Sequence, residues 1–287
     1  MSRQVVVGFD GSPTSVQALS WAVEEARLRT WGLTALAVLD RRLTDRIEPP
    51  DVLTRGPDGD GTERLSEVVA KTTADYPARF STARGAAAAE LVAACDEGDL
   101  LVVGTRGRGP LAGLLLGSVS RACLHHAPCS VVTCPAGARP VGHRRVLVEV
   151  DASDASRAAI EIAAHEASLR GAALHAVHAV HWDHLGAELV VPDTAQLVSW
   201  GKRLLERELA CAGVSARPVV IPGHPGDVLV RHSWHADLLV VGATGQNPLI
   251  GFRLESTSDY CAQHARCPVM VVRAALHGRR PAGDEAT

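Results

Sequence analysis

The sequence predicts an α/β protein made of two tandem, doubly wound, mainly parallel five-stranded sheets flanked by helices. Short apolar runs alternate with amphipathic helical segments, the pattern of a parallel sheet built from strand–helix–strand units. Segment 99–134 (DLLVVGTRGRGPLAGLLLGSVSRACLHHAPCSVVTC) aligns without a gap with segment 237–272 (DLLVVGATGQNPLIGFRLESTSDYCAQHARCPVMVV), 138 residues later and identical at about half its positions. A chain of 287 residues holds two copies of such a unit, each long enough to bury its own core.

The elements follow in order. Val5, Val6 and Val7 form a strand, Asp10-Gly11-Ser12-Pro13 a turn, and residues 15–29 a helix with apolar Val16, Leu19, Ala22, Val23 and Ala26 on one side. Residues 33–39 read as a second strand. The stretch 41–61, with three prolines and three glycines, reads as an exposed loop. A helix over 62–75, a short strand over 79–83, a helix over 86–95 and an apolar strand over 100–103 come next. A helix over 118–126 and a strand over 130–133 complete the first half. The second half repeats this order through a strand over 145–150, Asp151-Ala152-Ser153, a helix over 156–169 and a strand over 173–180, the rest following in register. The connector PAGARPVGH (135–143) is short and rich in proline and glycine, which suits two packed domains, 1–139 and 140–287. The tail beyond Leu276 has the composition of a disordered end.

With 46% hydrophobic residues, 21% charged residues and a net charge of −3, the chain has no large field of one sign, which argues against nucleic acid as a partner. The N-terminus enters a strand at once, without the apolar stretch of a signal peptide or membrane span, so a cytoplasmic protein is expected. Seven cysteines in no dense framework fit reduced thiols in that compartment.

In an open parallel sheet, ligands collect at the carboxyl ends of the strands, where helix N-termini direct free N–H groups. The candidate residues fall there. Asp10 follows the first strand, Val38 lies near the end of the second, and Gly104, Arg106 and Gly107 open the loop after the fourth. Gly117 and Ser118 begin the helix that closes that loop. Glycine at 104 and 107 lets a ligand approach the main chain. Gly117, Ser118 and Val119 are expected to offer N–H groups to an anion, and the hydroxyls of Ser118 and Ser120 to add donors. A phosphate suits that environment. The same residues also suit a tight loop and a capped helix, with Asp10 capping its own turn.

The GxxG, nine residues, GS arrangement and the element order around it resemble the universal stress protein family across both halves, almost the whole chain. That resemblance implies an adenine-nucleotide alpha-hydrolase-like fold and binding of ATP, with Mg²⁺ on its phosphates. It implies that Asp10 contacts the adenosine, the main chain of Val38 the adenine edge, and Gly104 and Gly107 the ribose and phosphates. Gly117, Ser118 and Ser120 would meet the phosphates, and Arg106 and Arg108 would add positive charge. It also implies a regulatory role in stress response, and self-association as a homo-oligomer or an intramolecular pseudo-dimer, together with an unidentified protein partner. The sequence FDGSPTS after the first strand lacks the SGGxDS of pyrophosphatase loops, which disfavours adenylation chemistry. No catalytic base is evident, so the expected activity is at most slow ATP hydrolysis.

The second half departs from the pattern. Gly117 becomes Glu255, and Arg106 and Arg108 become Thr244 and Gln246, while Gly242, Gly245, Asp151, Ser256 and Ser258 are kept. A carboxylate about 5 Å from a phosphate charge costs roughly 3 kcal/mol at an effective dielectric near 20, about two orders of magnitude in affinity. Nucleotide is therefore expected mainly in the first domain. Neither reading excludes an interaction scaffold without nucleotide.

Three other features weigh less. His175, His178, His181 and His184 recur every third residue, yet positions three apart on a strand face opposite sides, which disfavours a metal site. Cys123 with Cys129, and Cys261 with Cys267, read as small buried residues of the two cores. Trp21, Trp31, Trp200 and Trp234 read as core or domain-contact residues.

Overall fold

The computed structural model describes residues 3–39, 62–107, 116–137, 142–180, 193–243 and 256–273. The expected loop over 41–61, the tail beyond Leu276, and Arg108, His181, His184, Thr244, Gly245, Gln246 and Glu255 lie outside them.

The first half runs β1 (Gln4–Gly8), α1 (Pro13–Arg29), β2 (Gly32–Leu39), α2 (Thr62–Thr72), β3 (Ala78–Arg84), α3 (Ala87–Ala93), β4 (Leu100–Gly104), α4 (Ser118–His126) and β5 (Ser130–Cys134). The second runs β6 (Arg145–Glu149), α5 (Asp154–Leu169), β7 (Ala173–Val180), α6 (Thr194–Ala212), β8 (Arg217–Pro222), α7 (Pro225–Ser233), β9 (Leu238–Gly242), α8 (Thr257–His264) and β10 (Val269–Val272). Local chemistry sets the first helix. Ser12 caps α1 by accepting from the Ser15 N–H, and Pro13 opens it where no N–H is needed. The equivalent Ser153 caps α5 through Ser156.

The expected α/β class is present, and the two five-stranded sheets are joined edge to edge. One sheet of ten strands runs in the order β3-β2-β1-β4-β5-β10-β9-β6-β7-β8, parallel throughout except where β5 meets β10. At that seam Val132 stands opposite Met270, and these are equivalent positions of the two copies, 138 residues apart. A pseudo-two-fold axis therefore passes between them, as in an isologous dimer interface. Both strands are almost wholly buried, because helices cover the sheet on each side and parallel strands covered on both faces are apolar at every position. The outer edge strand β8 carries Pro218 and Pro222, which blunt further pairing.

Each helical layer spans both domains. Leu19, Ala22, Leu65 and Val69 share one core layer with Ile160, Leu205 and Leu209. Leu91, Cys123 and Leu124 share the other with Leu229 and Cys261. Polar contacts close the seam. Glu25 and Glu166, both essentially inaccessible, are each bridged by Arg29 and Arg170. His125 meets Asp259 at 3.2 Å, and the Arg273 guanidinium donates to the Leu124 carbonyl at 3.1 Å.

The tryptophans divide. Trp21 and Trp31 pack against the core, with Arg170 and Arg29 over their rings. Trp200 and Trp234 are exposed, each at 56%, so they are not the core residues that the expectation of core or domain contact allowed. His175 and His178 lie on opposite faces of β7. His178 packs at α6 beside Gly201 and contacts the Val150 carbonyl at 2.6 Å, whereas His175 feels His232 of α7.

Candidate functional site

The chain leaves β1 toward β2 and β3, then returns to place β4 on the other side of β1. The carboxyl ends of β1 and β4 thus flank a topological switch point, where a crevice opens in a doubly wound sheet. Asp10 lies two residues beyond the end of β1, and Gly104 ends β4. One Asp10 oxygen accepts the Ser12 N–H at 2.9 Å, closing a turn in which Gly11 has φ +74°. The other points to the next loop, lying 2.9 Å from where a Cβ on Gly107 would stand.

The start of that loop is fixed from α1. The Thr14 hydroxyl donates to the Arg106 carbonyl, and the Arg106 side chain is exposed. A Cβ on Gly104 would stand 2.8 Å from the Thr14 main chain, so glycine here permits close helix–strand contact. Gly242 answers to the same need, with the Ala155 main chain at 2.7 Å. The far end of the loop returns to its beginning, for the Gly117 N–H donates to the Thr105 carbonyl at 2.7 Å.

Gly117 is different from Gly104. Its φ is −71°, and a Cβ would meet only ordinary contacts at 3.5 Å and beyond. Neither backbone conformation nor packing within the described residues requires glycine there. It is the N-cap of α4, and no side chain caps that helix, whose first-turn N–H groups belong to Ser118 and Val119, with Ser118 exposed. Two donors expected for an anion are committed inside the protein instead. The Gly117 N–H closes the loop, and the buried Ser120 hydroxyl donates to the Gly104 carbonyl at 2.7 Å. What Gly117 contributes is space, and Ser120 fastens α4 to β4.

Val38 extends past the end of β1. The last β1–β2 rung is Gly8 with Leu36, followed by the Phe9 N–H donating to the Leu36 carbonyl. By the two-residue period of a strand, Val38 directs its N–H and C=O to the same side, above Phe9 and Asp10, while its partner on the register is Ala83 of β3. Its main chain thus faces the crevice.

The second crevice, between β6 and β9, is built from different chemistry. Asp151 repeats the turn of Asp10, accepting the Ser153 N–H at 2.9 Å. Its partial desolvation, which opposes ionisation, is outweighed by the hydroxyl and N–H of Ser153 and by Ser156, so it stays below the usual carboxylate range. Glu149 occupies the position of Gly8. Burial, reinforced by the neighbouring Asp151, pushes its carboxyl up to about 8. The helix start differs too. Ser256 caps α8 with its own hydroxyl, accepting the Asp259 N–H at 3.2 Å, and Asp259 stands where the first copy has Arg121. Sequence reading missed Glu149. The carboxylate that interrupts the apolar run Val146, Leu147, Val148 and Val150 at the end of β6 was the available signal.

The comparisons with known proteins agree with this architecture. Residues 1–135 and 142–273 each match the family model described as the universal stress protein family. A universal stress protein of Mycobacterium tuberculosis is 34% identical over 293 residues, covering 96% of this chain and 98% of the relative. Among solved structures, a universal stress protein from Archaeoglobus fulgidus superposes with a TM-score of 0.64 at 21% identity, covering 95% of this chain and 99% of that one. A family member from Arabidopsis thaliana was solved with AMP bound; its likeness, at 24% identity and a TM-score of 0.32, covers 45% of this chain and 90% of that one.

Proposed function

The chain belongs to the universal stress protein family, and on that premise we propose that it is a regulatory, cytoplasmic stress-response protein that binds ATP mainly in its first domain. One contrast carries this reading. The helix facing the first crevice starts at a glycine with no side-chain cap, whereas its counterpart in the second domain is capped by Ser256 and followed by Asp259. An uncapped helix start favours an anion, and a self-capped one with a carboxylate in its first turn does not.

The residues present fit such a nucleotide. Val38 offers main-chain groups to a base edge, and Asp10 offers an acceptor at the same end of the crevice. Ser118 and Val119 offer N–H groups to a phosphate, Gly117 leaves room for it, and Arg106 supplies positive charge at the mouth. Gly104 and Gly107 shape the loop around Thr14 and Asp10. ATP bound there, with Mg²⁺ held by the phosphates and nearby hydroxyls, would act by stabilising one arrangement of the loop between β4 and α4 and so biasing contacts with a protein partner. The two domains already form an intramolecular pair across β5 and β10. No helix among the described residues is long and apolar enough to cross a membrane.

The test is a count of nucleotide per chain, by mass spectrometry of the purified protein after mild denaturation, with added ATP as the probe. The reading requires about one. Two would remove the distinction between the domains, and none would leave an interaction scaffold.

A further inference from the structure

We propose that Arg273 and Asp259 of the second domain are positioning residues for the nucleotide site of the first, holding α4 by its C-terminal end. The proposal rests on the assignment of ATP to the first crevice, where α4 presents the N–H groups of Ser118 and Val119. The other end of the same helix lies at the seam between the domains. Its nine residues span roughly 13 Å, short enough that a shift at one end moves the other.

The last carbonyls of an α-helix need donors from outside it. At the end of α4 the Ala127 N–H reaches the Cys123 carbonyl at 3.0 Å, but the next residue, Pro128, has no N–H to offer the Leu124 carbonyl. Arg273, the residue after β10, supplies the donors. Its guanidinium bonds the Leu124 carbonyl at 3.1 Å and the neighbouring His125 carbonyl. A cation at this end also suits the helix dipole. Asp259 holds the same turn from α8, with a carboxylate oxygen 3.2 Å from Nε2 of His125.

Arg273 takes this position at a cost. Its Nε is buried and has no acceptor among the described residues, and a buried donor left unpaired opposes folding. The side chain completes α4 while one of its own donors goes unmet.

The arrangement runs one way across the repeat. Pro135 stands at the position of Arg273, and Gln263 and Arg121 stand at the positions of His125 and Asp259. The first domain therefore has no guanidinium at that position to return to the end of α8, and Gln263 offers Arg121 no ion pair. α8 is also the helix whose start is filled by the Ser256 hydroxyl. The helix without a side-chain cap at its start is the one held at its end from the other domain. By this contact the second domain completes the first site instead of duplicating it.

The test is calorimetric titration of the full chain with ATP and, separately, with adenosine. Because α4 serves only the phosphates, Arg273→Gln should weaken ATP about three- to tenfold and leave adenosine unchanged. Arg273→Lys, which keeps the charge, should recover most of the loss. Asp259→Asn removes the other hold and keeps the guanidinium, so it should weaken ATP in the same selective way by about two- to fivefold. A merely structural role would lower both ligands together. Parental ATP affinity in folded Arg273→Gln, or an equal loss for ATP and adenosine, overturns the proposal. If Arg273→Gln does not fold, parental ATP affinity in Asp259→Asn overturns it. A parent protein that binds no ATP refutes the assignment of the site, and the proposal with it.

Discussion

Arg29, at the end of α1, reaches across the seam to the buried carboxylate of Glu166, and Arg170 returns the contact to Glu25. Each arginine also bridges the glutamate of its own helix, so four charges alternate around the pseudo-two-fold axis. The two glutamates occupy equivalent positions of the repeat, as do the two arginines, 141 residues apart in each case. Such a ring is costly to assemble from water and more costly to leave incomplete, because the remaining charge stays buried without its partner.

Removing one member should therefore destabilise the whole molecule. Glu166→Ala is expected to lose about 3–5 kcal/mol in urea unfolding. Combined with Arg29→Ala, the loss should be well below the sum of the two single losses. Simple additivity would mean that the ring does not couple the domains.

The glycines of the first site should separate by mechanism. Gly104→Ala is expected to destabilise the fold by about 1–3 kcal/mol, since its Cβ has no room against α1. Gly117→Ala should leave stability within about 0.5 kcal/mol and weaken ATP binding. Gly117→Glu should weaken it by roughly two orders of magnitude. Calorimetric titration with ATP beside thermal unfolding of each variant checks all three, and unchanged affinity in Gly117→Glu would contradict the proposed site.

Glu149 predicts a dependence of stability on pH. Its folded-state carboxyl binds its proton up to about pH 8, whereas the unfolded chain releases it near an ordinary value of about 4.3. The folded state thus holds more protons across that window, and stability falls as pH rises through it, levelling above about 8. Glu149→Gln should lack this decline and be more stable than the parent at pH 8 by about 1–3 kcal/mol, allowing for the partial exposure of the side chain. Urea midpoints measured from pH 5 to pH 9, as the difference between the two proteins, give the answer. Parallel curves would refute it.

The two turns after β1 and β6 offer a smaller test. Gly11 has φ +74° and its counterpart Ala152 φ +66°, a left-handed conformation that an L side chain adopts only with strain. Ala152→Gly should stabilise the protein by about 0.5–1 kcal/mol and Gly11→Ala should destabilise it by a similar amount. Opposite signs in thermal unfolding would show that the turns relax.

Much of the fold was legible because its signals are local. Ser12, Pro13 and the spacing of Leu19, Ala22 and Ala26 define α1 without reference to the rest of the chain. The repeat from Asp99 and Asp237 places the later elements of both halves in register. Trp200 and Trp234 were misread, since a helical period shows which residues share a side and not always which side is covered.

By itself the sequence determined the α/β order, the duplication, and the gathering of Asp10, Val38, Gly104, Gly107 and Gly117 at the ends of parallel strands. The tertiary structure decided what each of them does there. Gly104 yields to the approach of Thr14, Asp10 closes its own turn while facing Gly107, and Gly117 meets only ordinary contacts among the described residues. It also decided that β5 and β10 join two sheets into one, and that Glu25 and Glu166 share two arginines. Chain punctuation and side-chain periodicity act over a few residues, whereas these relationships depend on atoms brought within contact distance from residues far apart in the chain, and only the folded geometry fixes that distance.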